Sequence, residues 1–266
     1  MRLERLDAKR VAPMGEYSKI EWTHHTFNPW WGCQKVSPGC QHCYAEATAK
    51  RFGWDTIWGG LQSYRRVTRE SNWRKPLKWD ERASHNATRE RVFCGSMCDV
   101  FESRPELHDP RQRLLDLIDD TTSLDWLLLT KRPENIASMI GDGWGRHPEN
   151  VWLLTTVEDQ RRADDRIPHL IRAPARIRGL SVEPMLGPVD LSRGWPGEWI
   201  GDIDWVIVGC ESGPRRRETK LQWVRDLRDQ CVGAGVPFFL KQLDVDGRVV
   251  KMPKLDGRIW AEVPHV

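Results

Sequence analysis

The chain has 266 residues, 41 of them basic and 38 acidic, for a net charge of +3. That is enough chain for one α/β barrel whose core needs no disulfide staples, and the charge is too slight to demand a nucleic-acid partner by itself. The opening MRLERLDAKR places charges where the apolar stretch of a secretory signal would stand, and no apolar run approaches membrane-spanning length. A soluble, cytoplasmic protein with no membrane partner is expected.

In chain order, KIEWT (19–23) predicts a first strand. It leads into GCQKVSPGCQHC (32–43), which holds three cysteines as C-x6-C-x2-C, and then a helix, YAEATAKRF (44–52). Residues 54–90 break the pattern and read as an insertion rich in Arg, Lys and Trp. Such a stretch suits a phosphate backbone with stacked bases, and suits equally a surface excursion that packs its indoles on the barrel. For the chain's 15 tryptophans as a set, the core reading stands ahead of the stacking one.

From Arg91 a simple alternation sets in. RVFCGSM (91–97), DWLLLT (125–130), VWLLTTV (151–157), RIRGLSV (176–182), DWVIVGC (204–210) and PFFLKQ (237–242) each have the length of a strand buried on both faces. Between them, PRQRLLDLIDD (110–120), PENIASMI (133–140) and TKLQWVRDLRDQCVGAG (219–235) read as helices. The alternation predicts a single domain over residues 1–266: a partial or full (β/α) barrel of about six to seven parallel strands, with a doubly wound open sheet as the alternative.

Parallel α/β proteins bind ligands at the carboxyl ends of their strands. Those ends carry His24, His25, Asn28 and the cysteine loop, then Cys94, Ser96, Cys98 and Asp99. Further on come Thr130, Lys131 and Arg132, then Thr156, Glu158 and Asp159, then Ser181 and Glu183. The last two strands end in Cys210, Glu211 and Ser212, and in Lys241 and Gln242. Polar groups converging on one rim point to a site, although Asp99 and Glu158 taken singly read as helix caps.

Three clustered thiols leave two metal readings open. Zinc would take His42, His24 or His25 as a fourth ligand. An iron–sulfur cube accepts three thiolates and leaves one iron for a cofactor. Gly32, Pro38 and Gly39 let the backbone curl around a bulky group. Cys94, Cys98 and Cys210 suggest a second cluster or a reactive thiol, against the plainer reading of small buried apolar residues; Cys231 reads as core.

The string IEWTHHTFNPWWGCQKVSPGCQHCYAE resembles the phage-associated three-Cys-motif family, placed near radical-SAM proteins and distantly related to spore photoproduct lyase. The resemblance continues through FCGSMCDVFE, LLLTKRPEN, VWLLTTVEDQ, RIRGLSVEPMLGPVDL, DWVIVGCESGPRRR and WVRDLRDQCVGAGVPFFLKQ, nearly the whole chain in order. It implies a [4Fe-4S] cluster on Cys33, Cys40 and Cys43, S-adenosylmethionine on the fourth iron, a 5′-deoxyadenosyl radical and an external electron donor. By the same resemblance His42 and Tyr44 lie beside the adenine, Ser96 and Asp99 receive the methionine amino group, and Lys131 or Arg132 pairs with its carboxylate. Glu158, Glu183 and Glu211 would face the ribose or substrate, with Cys98, Glu183 and Glu211 the catalytic candidates.

The implied substrate is a nucleic acid or nucleotide, in repair or modification. The alternative is a zinc- or iron–sulfur-stabilised nucleic-acid-binding protein without turnover of S-adenosylmethionine. Two departures stand out. The first spacer is longer than in the common C-x3-C-x2-C, and CGSMCD and GCES stand where SMSD-like and GGES-like strings are common in the family.

Overall fold

The computed structural model describes residues 16–140, 149–194 and 197–265. Its strands are β1 (His25–Phe27), β2 (Trp30–Trp31), β3 (Arg66–Val67), β4 (Glu90–Cys94), β5 (Leu124–Thr130), β6 (Val151–Thr156), β7 (Ile177–Val182), β8 (Trp205–Gly209), β9 (Phe238–Val245), β10 (Arg248–Lys251), β11 (Lys254–Leu255) and β12 (Arg258–Ile259). The α-helices are α1 (Tyr44–Arg51), α2 (Glu70–Trp73), α3 (Lys75–His85), α4 (His108–Asp120), α5 (Ile136–Ile140), α6 (Gln160–Ile171) and α7 (Leu221–Ala234).

One sheet runs β1-β4-β5-β6-β7-β8-β9-β10, parallel throughout except for the final hairpin, and curls into a half-barrel. The expected partial barrel of parallel strands is therefore present. The strand period of two explains its layers. Along β4 and β5, Phe93 and Leu127 turn inward, while Val92, Cys94, Trp126 and Leu128 turn out under the helices. Inside, Trp22, Trp152 and Trp205 meet edge to face, with centroids 6.0 Å (Trp22–Trp205) and 5.9 Å (Trp152–Trp205) apart, and close the floor. Most described indoles are thus core, including Trp30, Trp73, Trp79 and Trp126.

Two expectations change, and the structure adds elements that the apolar pattern does not show. KIEWT is no strand: Ile20 and Trp22 pack inside the barrel, and pairing with β4 starts at His25. Much of the supposed insertion is the ordinary crossover between β1 and β4, because α3 buries Trp79 and Ala83 in the outer core. Only residues 54–69 form an excursion, and there the Arg66 guanidinium lies 4.1 Å over the Trp54 ring. Helix α6 is invisible to a simple apolar pattern, since it buries Arg166 and contains Pro168. Hairpin β9–β10 turns at Asp246-Gly247, and β11–β12 at Asp256-Gly257, both pairs with positive φ. Asp-Gly between extended runs is the signal that marks such turns.

The open side of the half-barrel is bridged. Lys251 Nζ, at the end of β10, donates to the Lys19 carbonyl at 3.1 Å and pairs with Glu21 at 2.8 Å. Trp205 Nε1 donates to the Glu262 carbonyl at 2.9 Å, which fixes the C-terminal segment beneath the floor. Among the described residues no helix is long and apolar enough to cross a membrane.

Candidate functional site

A cavity of about 600 Å³ lies within the half-barrel at the carboxyl ends of its strands. Cys33, Cys40, Cys43, His42, Tyr44, Ser96, Cys98, Asp99, Lys131, Arg132, Glu183, Cys210 and Glu211 line it; Cys94 and Glu158 do not. The cysteine loop spans its mouth because three strand ends hold it there. At the end of β5, Arg132 Nη2 donates to the Gln34 carbonyl at 2.7 Å and Nη1 lies 3.7 Å from Cys33 Sγ. At the end of β6, Glu158 accepts from Ser37 Oγ, while Arg166 holds its other oxygen at 2.8 Å. After β8, Arg217 pairs with Glu211 and donates to the Pro38 carbonyl at 2.9 Å and Gln41 Oε1 at 3.3 Å.

Close approach accounts for two glycines. Gly32 has φ +111°, and a Cβ there would stand 2.2 Å from the Ile57 carbonyl oxygen. A Cβ on Gly39 would overlap the Glu158 carboxylate. Both are positions where only a bare backbone fits.

The turn after β4 is organised by Asn28, which is 1% exposed. Its Nδ2 donates to Ser96 Oγ at 2.8 Å, and its Oδ1 accepts from the Met97 amide at 2.7 Å with Cys98 Sγ at 3.9 Å. Tyr44 Oη donates to the Ser96 carbonyl at 2.8 Å, joining the start of α1 to the same turn. Across the cavity, Glu183 pairs with Lys241, and Gln242 Nε2 donates to the Cys210 carbonyl at 2.8 Å and Ser212 Oγ at 3.0 Å.

Burial pushes the Cys33 thiol up to about 12; Asp99 adds to this and Arg132 opposes it. Burial likewise raises Cys43, against backbone hydrogen bonds and Lys131. Such thiols ionise when a metal supplies the missing positive charge. The donor set therefore fits an iron–sulfur cluster: three thiols of one loop face a cavity with room for it, with Lys131 and Arg132 alongside. Among the described residues, no three His, Cys, Asp or Glu side chains are grouped to hold one ion.

The family model described as "Protein of unknown function (DUF5131)" matches residues 17–264. The chain belongs to the DUF5131 family. No curated protein matches this family member. Among solved structures, it is similar to a tyrosine-to-phenylalanine mutant of spore photoproduct lyase, with TM-score 0.51, 11% identity, 86% of this chain and 78% of that chain covered. It is also similar to a spore photoproduct lyase double mutant with bound AdoMet and dinucleoside spore photoproduct (TM-score 0.48, 13% identity, 80% of this chain and 62% of that chain). A third is spore photoproduct lyase complexed with dinucleoside spore photoproduct (TM-score 0.46, 13% identity, 87% of this chain and 59% of that chain). The chain spans about three fifths of the length of these last two. At such identity the likeness is one of fold.

In this DUF5131 member several expected roles need correction. Glu158 is fully buried beneath the loop and faces neither ribose nor substrate. Asp99 is saturated: it accepts from Thr130 Oγ1, the amides of Phe101 and Lys131, and Arg132. It has no lone pair left for a methionine amino group, and Arg132 Nη1 and Nη2 are bonded to Asp99, Cys33 and Gln34. Cys94 packs in the outer core beside Cys98 and does not line the cavity, whereas Cys98 and Cys210 do. His25 pairs with Glu90 at 2.7 Å and stacks on Trp79, and His24 accepts from the Arg91 amide, so neither completes a metal site with the cysteines. The residues missed from sequence are Ser37, Arg166 and Arg217, together with the organising role of Asn28.

Proposed function

We propose that this protein is a radical-SAM-type iron–sulfur enzyme acting on a nucleic acid or nucleotide. The observation that carries the reading is the placement of Cys33, Cys40 and Cys43 on one clamped loop facing one cavity. The half-barrel fold shared with spore photoproduct lyase supports it. Cys33, Cys40 and Cys43 would hold a [4Fe-4S] cluster, which when bound would supply the electron for reductive cleavage of S-adenosylmethionine.

The chain's own groups then divide the work. Lys131 Nζ has a hydroxyl partner, Thr156 Oγ1 at 3.2 Å, and is the cation available for the methionine carboxylate. Ser96 and Tyr44, tied together at the turn after β4, present polar groups to the cofactor. Glu183 and Lys241 set a charged pair against the substrate side. The tryptophan floor keeps water from the far end of the cavity, where a carbon radical needs protection. Arg66 and Arg69 of the 54–69 excursion, half-buried and exposed, suit a phosphate backbone.

The test is anaerobic reconstitution followed by reduction with S-adenosylmethionine present. About four irons per chain and formation of 5′-deoxyadenosine are expected. A loaded, reduced protein that never forms 5′-deoxyadenosine defeats the reading.

A further inference from the structure

Arg132 follows β5 and is 7% exposed. Both ends of its guanidinium are committed to the protein. Nη1 donates to Asp99 Oδ2 at 2.8 Å and lies 3.7 Å from Cys33 Sγ, and Nη2 donates to the Gln34 carbonyl at 2.7 Å. Asp99 is itself fixed by Thr130 Oγ1 at 2.7 Å and by the Phe101 and Lys131 amides, both at 3.1 Å. The cation beside Cys33 is therefore a rigid part of the site. Cys40 has no such neighbour among its described contacts: its sulfur meets the Ser37 hydroxyl at 3.8 Å.

We infer that Arg132 sets the reduction potential of the cluster ligated through Cys33, by placing a fixed N–H and a buried positive charge on that ligand sulfur. The inference rests on the cluster proposed above. Reduction adds one electron and one negative charge to the cluster, and no bond forms or breaks. A cation held a few ångströms away in a poorly screened site stabilises the more negative state, and hydrogen bonds to the sulfurs act in the same direction. Arg132 is thus a positioning and tuning residue.

The experiment compares the wild-type chain with Arg132→Lys and Arg132→Gln after anaerobic reconstitution. Iron and sulfide are counted, and each protein is titrated with dithionite while the paramagnetic signal of the reduced cluster is followed. The expected result is equal iron, a midpoint shifted to more negative potential in Arg132→Gln, and a smaller shift of the same sign in Arg132→Lys. If Arg132→Gln takes up no cluster, the Arg132→Lys midpoint decides by the same criterion. Loaded variants that titrate at the wild-type midpoint overturn this inference alone. A wild-type chain that takes up no iron overturns the functional proposal as well.

Discussion

Gly39 lies directly on Glu158: the Cβ that Gly39 lacks would stand 2.3 Å from Glu158 Oε1. Loop and strand end, 121 residues apart in the Ser37–Glu158 bond, form one packed unit. Gly39→Ala must push one away from the other. The expected outcome is a folded protein, by far-ultraviolet circular dichroism, that binds iron about 10- to 100-fold more weakly, the range for changes just outside a metal's ligands. An iron titration that matches the wild type would show that the contact has slack.

Glu158 and Arg166 have side chains 0% and 5% exposed and are paired at 2.8 Å. Glu158→Ala strands a buried guanidinium and should cost about 3–5 kcal/mol of folding stability. Glu158→Gln keeps an acceptor for Arg166 and should cost less. Urea unfolding of both variants measures the difference, and equal losses would rule out the ion pair as the cause.

The Glu211–Arg217 clamp is more exposed at its arginine, whose side chain is 30% accessible, so its loss should spare the fold. Arg217→Ala releases the Pro38 carbonyl and Gln41. We expect a melting temperature close to wild type together with reduced cluster retention on gel filtration under anaerobic conditions. A large fall in melting temperature with full retention would reverse this assignment.

Serine at Cys33, Cys40 or Cys43 should each abolish stable iron loading. Serine at Cys94 or Cys210 should leave iron per chain unchanged. Cys94→Ser puts a hydroxyl among apolar neighbours and should cost about 1–3 kcal/mol in stability. Halved iron in either of the last two would restore a second cluster.

Cys210 lines the cavity, and burial followed by the neighbouring Glu183 charge pushes its thiol up to about 11. A raised pKa keeps the thiol protonated below that pH, so the thiolate fraction climbs about tenfold per pH unit between pH 8 and 10. Iodoacetamide labelling of Cys210, followed by mass spectrometry, should rise with that slope. A flat rate over this range would show a thiol already ionised.

The parallel strands were legible because strands buried on both faces are continuous apolar runs, such as the LLL of β5. The three cysteines were legible by spacing. The clamps were not, because each joins residues that look ordinary where they stand. Ser37 reads as a turn residue and Arg166 as a solvated helix position. Arg166 is buried only because the curled sheet brings Glu158 beneath it. At Asp99 and Arg132, an ionisable residue at a strand end looks equally like a ligand-binder or a brace until its hydrogen bonds are counted.

The bridge from Lys251 to Lys19 joins segments 232 residues apart in the chain. Strands β1 to β8 supply every clamp on the cysteine loop, whereas Phe239 and Met252 join the interior only with the C-terminal strands. Strands β9 and β10 thus supply one wall of the cavity without holding its cysteine loop.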